Sequence, residues 1–90
     1  MIYFHYIIRM TKGEREIAVT LGCGIGSGVL DVQWSDGDPE MKASLEDHFK
    51  EMALLEEYSV MARSAAIDHG FTMTTETIGK RPRPSDYPQF

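Results

Sequence analysis

The chain has 90 residues, 42% of them hydrophobic, with 9 Lys+Arg against 14 Asp+Glu and a net charge of -5. That allows one small domain with a thin core and leaves no room for a two-domain enzyme. Its single cysteine, Cys23, excludes an intrachain disulfide framework and a cysteine-based zinc site, and it fits a reducing compartment.

Residues 2–10 are β-branched and aromatic. Ile2, Phe4, Tyr6, Ile8 and Met10 share one face, and Tyr3, His5, Ile7 and Arg9 the other, which predicts a strand with both faces partly covered. A turn at Thr11-Lys12-Gly13-Glu14 leads into a second strand over 15–21, with Ile17, Val19 and Leu21 facing one way. The next seven residues, GCGIGSG, hold four glycines and cannot continue a regular strand, so the chain bends over 22–28. Residues 29–34, VLDVQW, restore the period of two with Leu30, Val32 and Trp34 on one face.

Asp38-Pro39-Glu40 is a helix start: Asp38 caps, Pro39 suits the first helical position, and Glu40 faces the positive end of the dipole. No Gly or Pro interrupts the chain from there to His69, and Gly70 is placed to end the helix. One helix over 39–69 is therefore expected, with a possible second start at Ser44 only if it breaks. Residues 71–78, FTMTTETI, read as a Thr-rich edge strand, and 80–90, KRPRPSDYPQF, as an extended basic tail holding three of the four prolines.

The order β-β-β-α-β describes a single α+β domain over 1–79, in two layers. A three-stranded antiparallel meander carries one long helix and a C-terminal edge strand. If that last strand lies beside the first, it is expected to run parallel to it, because one helix reverses the chain once.

Residues 36–68 hold nine acids against three bases, so the net charge sits on the helix. Duplex binding needs a basic stripe, and no direct nucleic-acid binding is expected. An acidic helix suits solubility, or a basic protein surface, including one that otherwise holds nucleic acid. No stretch approaches 18 apolar residues and no signal-type segment follows Met1, so neither a membrane span nor export is expected and the location reads as cytoplasmic.

Met41, Leu45, His48, Met52, Leu55, Ser59, Ala62 and Ala66 line one face of the expected helix, flanked by Phe49, Leu54, Tyr58, Met61 and Ala65. A helix of that span runs about 46 Å, whereas a seven-residue strand covers about 24 Å, so one end should overhang the sheet. Covering it with a second copy or another protein would bury side chains worth about 1.5–3 kcal/mol each. The expected partner-binding residues are Glu51, Leu54, Glu56, Glu57, Tyr58 and Met61, with Tyr87 and Phe90 of the tail as further anchors.

Residues 18–26, AVTLGCGIG, resemble the first motif of class I methyltransferases that use S-adenosylmethionine. The likeness covers nine residues, Thr20 stands where that family carries an acid, and the chain is too short for the parallel sheet the family needs. A ligand or anion site at Gly22, Gly24, Gly26 and Ser27 is the alternative reading of the loop. Ser27 does not fit a nucleophile elbow, and nothing in the sequence sets a base beside Cys23. His48 with Glu51 offers only one pair of metal ligands. No enzyme activity, cofactor or metal is expected. Size, acidity and the lack of a catalytic constellation resemble small phage-encoded inhibitors, such as anti-CRISPR proteins. The expected role is a non-enzymatic protein-interaction module that is homodimeric and occupies a partner's surface as an inhibitor or regulator.

Overall fold

The computed structural model describes residues 1–35 and 37–80. In β1 (Phe4–Lys12) the buried side chains of Phe4, Ile8 and Met10 share one face, while His5, Arg9 and Thr11 stand exposed on the other. A two-residue turn, with Gly13 at φ 61°, leads into β2 (Arg15–Cys23). Positive φ at the first central position is what tight hairpin turns require, and glycine adopts it without steric cost. Ile17, Val19, Leu21 and Cys23 then fall on the same buried face as the even-numbered residues of β1.

β3 (Val29–Trp34) pairs antiparallel with β2, and one step in the register is irregular. Gly22 lies opposite Asp31 and Cys23 opposite Val29, so Leu30 is an extra residue in the ladder. This bulge corrects the expected pattern. Val29 packs against the core, and Leu30, which simple alternation places with Val32 and Trp34, is turned out to 59% exposure.

After Trp34 the chain passes close over β2. A Cβ on Gly37 would lie 2.3 Å from the Glu16 carbonyl oxygen, so only glycine fits the crossing. Asp38 then caps α1 (Pro39–Phe49), accepting hydrogen bonds from the N–H groups of Glu40 at 3.1 Å and Met41 at 3.2 Å.

The single helix expected over 39–69 is two helices. α1 ends at Phe49 and α2 (Leu55–His69) begins after a short linker over 50–54. The break falls in neither of the places that glycine, proline or Ser44 would mark. Three interactions hold it open. The Glu57 carboxylate accepts hydrogen bonds from the N–H groups of Leu54 at 2.9 Å and Ala53 at 3.2 Å, half of a capping box. Val29 donates its N–H to the Ala53 carbonyl at 2.8 Å, and Leu54 forms a bridge with Gly28. The linker thus satisfies backbone groups at the start of β3 that an unbroken helix would leave unpaired.

α2 ends where expected, at Gly70 in the left-handed conformation with φ 78°. Lys12 donates to the His69 carbonyl at 2.9 Å, placing a cation at the negative end of the helix dipole. β4 (Thr72–Gly79) then joins the far side of β1, giving the order β3-β2-β1-β4. It runs antiparallel to β1, where one helix would have made it parallel. Two helices reverse the chain twice, which restores the opposite direction.

Both helices lie on one face of this four-stranded antiparallel sheet. Met41, Leu45, Phe49, Leu55, Tyr58, Ala62 and Ala66 meet the inner side chains of β1 and β2 in one core cluster. Folding back removes the overhang: α1 spans about 16 Å and α2 about 22 Å, both within the length of a nine-residue strand. Among the described residues, no helix covers the other sheet face. Ile7 is buried there between its cross-strand neighbours Thr20 and Glu76.

Candidate docking groove

Folding the second helix back against the first brings three elements around Met52. On one side, Trp34 of β3 stacks on Phe49 at the end of α1, with ring centroids 5.5 Å apart, and Phe49 meets Tyr58 of α2 at 4.7 Å. These rings form the floor of a hollow of about 380 Å³ lined by Val32, Trp34, Glu46, Phe49, Lys50, Met52 and Tyr58. On the other side lies a second hollow of about 400 Å³, lined by Met52, Glu56, Glu57, Val60 and Met61. Met52 is the ridge common to both, so the two hollows adjoin in one docking groove, with three carboxylates and one ammonium among their lining residues.

The electrostatics follow from the fold. Lys50 lies 3.4 Å from Asp47, and Lys42 stands over the Trp34 ring at 5.9 Å. Glu57 faces the groove with its carboxylate turned toward the linker amides. Tyr58 donates its hydroxyl to the Met52 carbonyl at 3.2 Å, tying α2 to the linker. Burial, and then the neighbouring Glu57 charge, pushes the Tyr58 hydroxyl above its ordinary value, so it stays a neutral donor.

The residues expected to bind a partner divide among several places. Glu56, Glu57 and Met61 line the second hollow. Tyr58 is core, and its ring is part of the floor of the first. Glu51 is exposed in the linker outside both hollows, and Leu54 is 46% exposed where the linker meets Gly28. Tyr87 and Phe90 lie outside the described residues. Met52, Glu46 and Val60 are the additions. Val60 carried a usable signal: together with Ile67, it is apolar yet out of phase with the buried stripe, and the two are 70% and 71% exposed.

The glycine segment is placed differently from a single flexible loop. Gly22 belongs to β2, where Ile2 lies over it, and a short turn of 3-10 helix spans Ile25–Ser27. Gly26 and Ser27 take positive φ, at 73° and 62°. The Gly24 N–H donates to the Gly28 carbonyl at 2.8 Å and the Val29 N–H to Ala53, so two of the amides near the bend already have partners within the chain. The segment serves as the latch between sheet and interhelical linker.

The metal pair imagined at His48 and Glu51 does not share a helix face, because α1 ends at Phe49. Among the described residues, no group of three or more His, Cys, Asp and Glu side chains is placed to hold a metal ion, and no helix is long and apolar enough to cross a membrane. No protein-family model, curated protein or solved structure matches the chain.

Proposed function

We propose that this protein is a small acidic protein-interaction module that works without catalysis, by seating a partner's apolar side chain in the groove around Met52. The partner's segment carries lysine or arginine on either side of that apolar anchor, and these meet Glu46 and Glu56 at the groove walls. In this reading the protein acts as an inhibitor or regulator through occupancy of the partner's surface. The observation that carries it is the coincidence, on one ridge, of two apolar hollows and an acidic rim. The overhang from which docking was expected is gone, and the groove replaces it. Met52 and Met61 are suited to such a surface because unbranched thioether side chains adapt to varied partners.

The test is selection from a displayed library of short peptides. The recovered sequences are expected to hold Leu, Met or Phe flanked by Lys or Arg, and to lose binding to a Glu46→Lys/Glu56→Lys variant. Glu57 is left alone in that variant because it caps α2. Recovery of the same peptides by the charge-reversed protein, or of peptides without basic flanks, would overturn the assignment.

A further inference from the structure

The two edges of the sheet are finished differently. At the β3 edge the interhelical linker lies against the strand start, with Val29 bonded to Ala53 and Gly28 bridged to Leu54. Among the described residues, β4, at the opposite end of the order β3-β2-β1-β4, pairs on one side only. Seven of its eight residues are exposed and Met73 is half-buried. Its register with β1 runs without a bulge from Phe4 opposite Gly79 to Thr11 opposite Thr72. Proteins usually protect such an edge with proline, charge, a bulge or a short strand, and of these β4 has a single charge, Glu76.

We propose that β4 is the contact of a homodimer in which two copies join their sheets edge to edge, antiparallel, about a two-fold axis at Thr75. Two features of the charge point to a second copy as the occupant. The acids of the chain are concentrated over 36–68, whereas 72–80 holds one acid, Glu76, and one base, Lys80. The edge is the neutral part of an acidic molecule, where a second acidic molecule meets least repulsion. The strand is also complementary to itself in one register. Side chains directly opposite in an antiparallel pair must share a face, so the axis falls on a residue.

Overlap of residues 72–78, all of β4 but Gly79, centres it on Thr75. Thr75 then faces its own copy, Met73 faces Thr77, and Glu76 faces Thr74. Threonine pairs of this kind favour association, and the two carboxylates are kept apart. A slip that centres the axis on Glu76 would set the carboxylates opposite each other, and that register is disfavoured. The resulting eight-stranded sheet keeps all four helices on one face and leaves both grooves open. The dimer is independent of the groove, and its failure would leave the peptide-binding reading intact.

Sedimentation equilibrium of the full chain is expected to give twice the 10.2 kDa of one copy. Thr75→Lys and Thr75→Glu should each be monomeric, and their equimolar mixture should recover the double mass. Register is read with cysteine, since Cys23 is buried. Oxidised Thr75→Cys should link covalently into a dimer, while Thr72→Cys, about 20 Å from its counterpart in this register, should not. A wild-type mass of one copy, or linkage through position 72 equal to that through 75, would overturn the proposal.

Discussion

α1 and α2 sit side by side on the same sheet, yet they begin by opposite means. α1 starts from one side chain: the Asp38 carboxylate takes the N–H groups of Glu40 and Met41, and the Arg15 guanidinium ties it to β2. α2 starts at Leu54, whose side chain has no acceptor, and its first amides are met from inside the helix by Glu57, with backbone pairing to β3 holding the linker from outside. A start that rests on one buried carboxylate is sensitive to a single substitution and to acid. A start spread over one strand and a helix should yield gradually.

The largest expected effect is at Asp38. Asp38→Ala removes the acceptor of two amides and leaves Arg15 without its buried partner, and should lower the melting temperature by roughly 8 °C in a calorimetric scan. Asp38→Asn should retain most of the cap. The same residue governs the acid limb of stability. Burial by itself would raise the Asp38 carboxyl, but the Met41 N–H, the Arg15 side chain and the Glu40 N–H outweigh it and hold the group below the ordinary aspartate value. The unfolded chain therefore binds that proton more readily than the fold. The Asp38 contribution is present above about pH 4 and lost as pH falls further, so urea midpoints measured from pH 6 down to pH 2 should fall less steeply for Asp38→Asn than for wild type.

Next is Glu57. Glu57→Ala should cost about 1 kcal/mol in urea unfolding, and Glu57→Gln should recover much of it because an amide oxygen can also accept from the linker. Equal loss in both would mean that the charge, and not the acceptor, starts α2. Smallest is Tyr58→Phe. It keeps the ring contact with Phe49 but removes the bond to the Met52 carbonyl, for about 0.5 kcal/mol at neutral pH. Because the fold raises the Tyr58 hydroxyl, its share of stability is intact below about pH 10 and lost as pH climbs beyond it. The phenylalanine variant should lack that part of the alkaline decline.

These two helix starts also explain what the residue pattern could disclose. Asp38-Pro39-Glu40 announced α1 because the capping residue is itself polar. At α2 the acceptor sits inside the helix, three residues past an apolar position, and nothing in the pattern marks Leu54 as a boundary. The buried stripe gives no warning either: Leu45, Phe49, Met52, Leu55 and Tyr58 keep helical spacing straight through the linker, since both helices rest on one core. From that one break follows the direction of β4, which counts helix reversals. The β1–β2 hairpin and the inner faces of β1 and β2 were legible because simple alternation holds there. Leu30 was not, because a single inserted residue shifts the phase. In the groove, Glu56, Glu57 and Met61 could be found on one helix. Glu46 and Trp34 come from elsewhere in the chain, and only the fold-back makes them neighbours of Met52.

Cys23 has a use of its own. Its thiol is fully enclosed and points to the Leu21 carbonyl at 3.7 Å, on the strand that the bulge and the glycine latch hold shut. A sulfhydryl reagent in solution can touch it only during moments when that corner parts. The speed of alkylation therefore times the breathing of one small region in the unaltered protein, with no dye, tag or engineered residue.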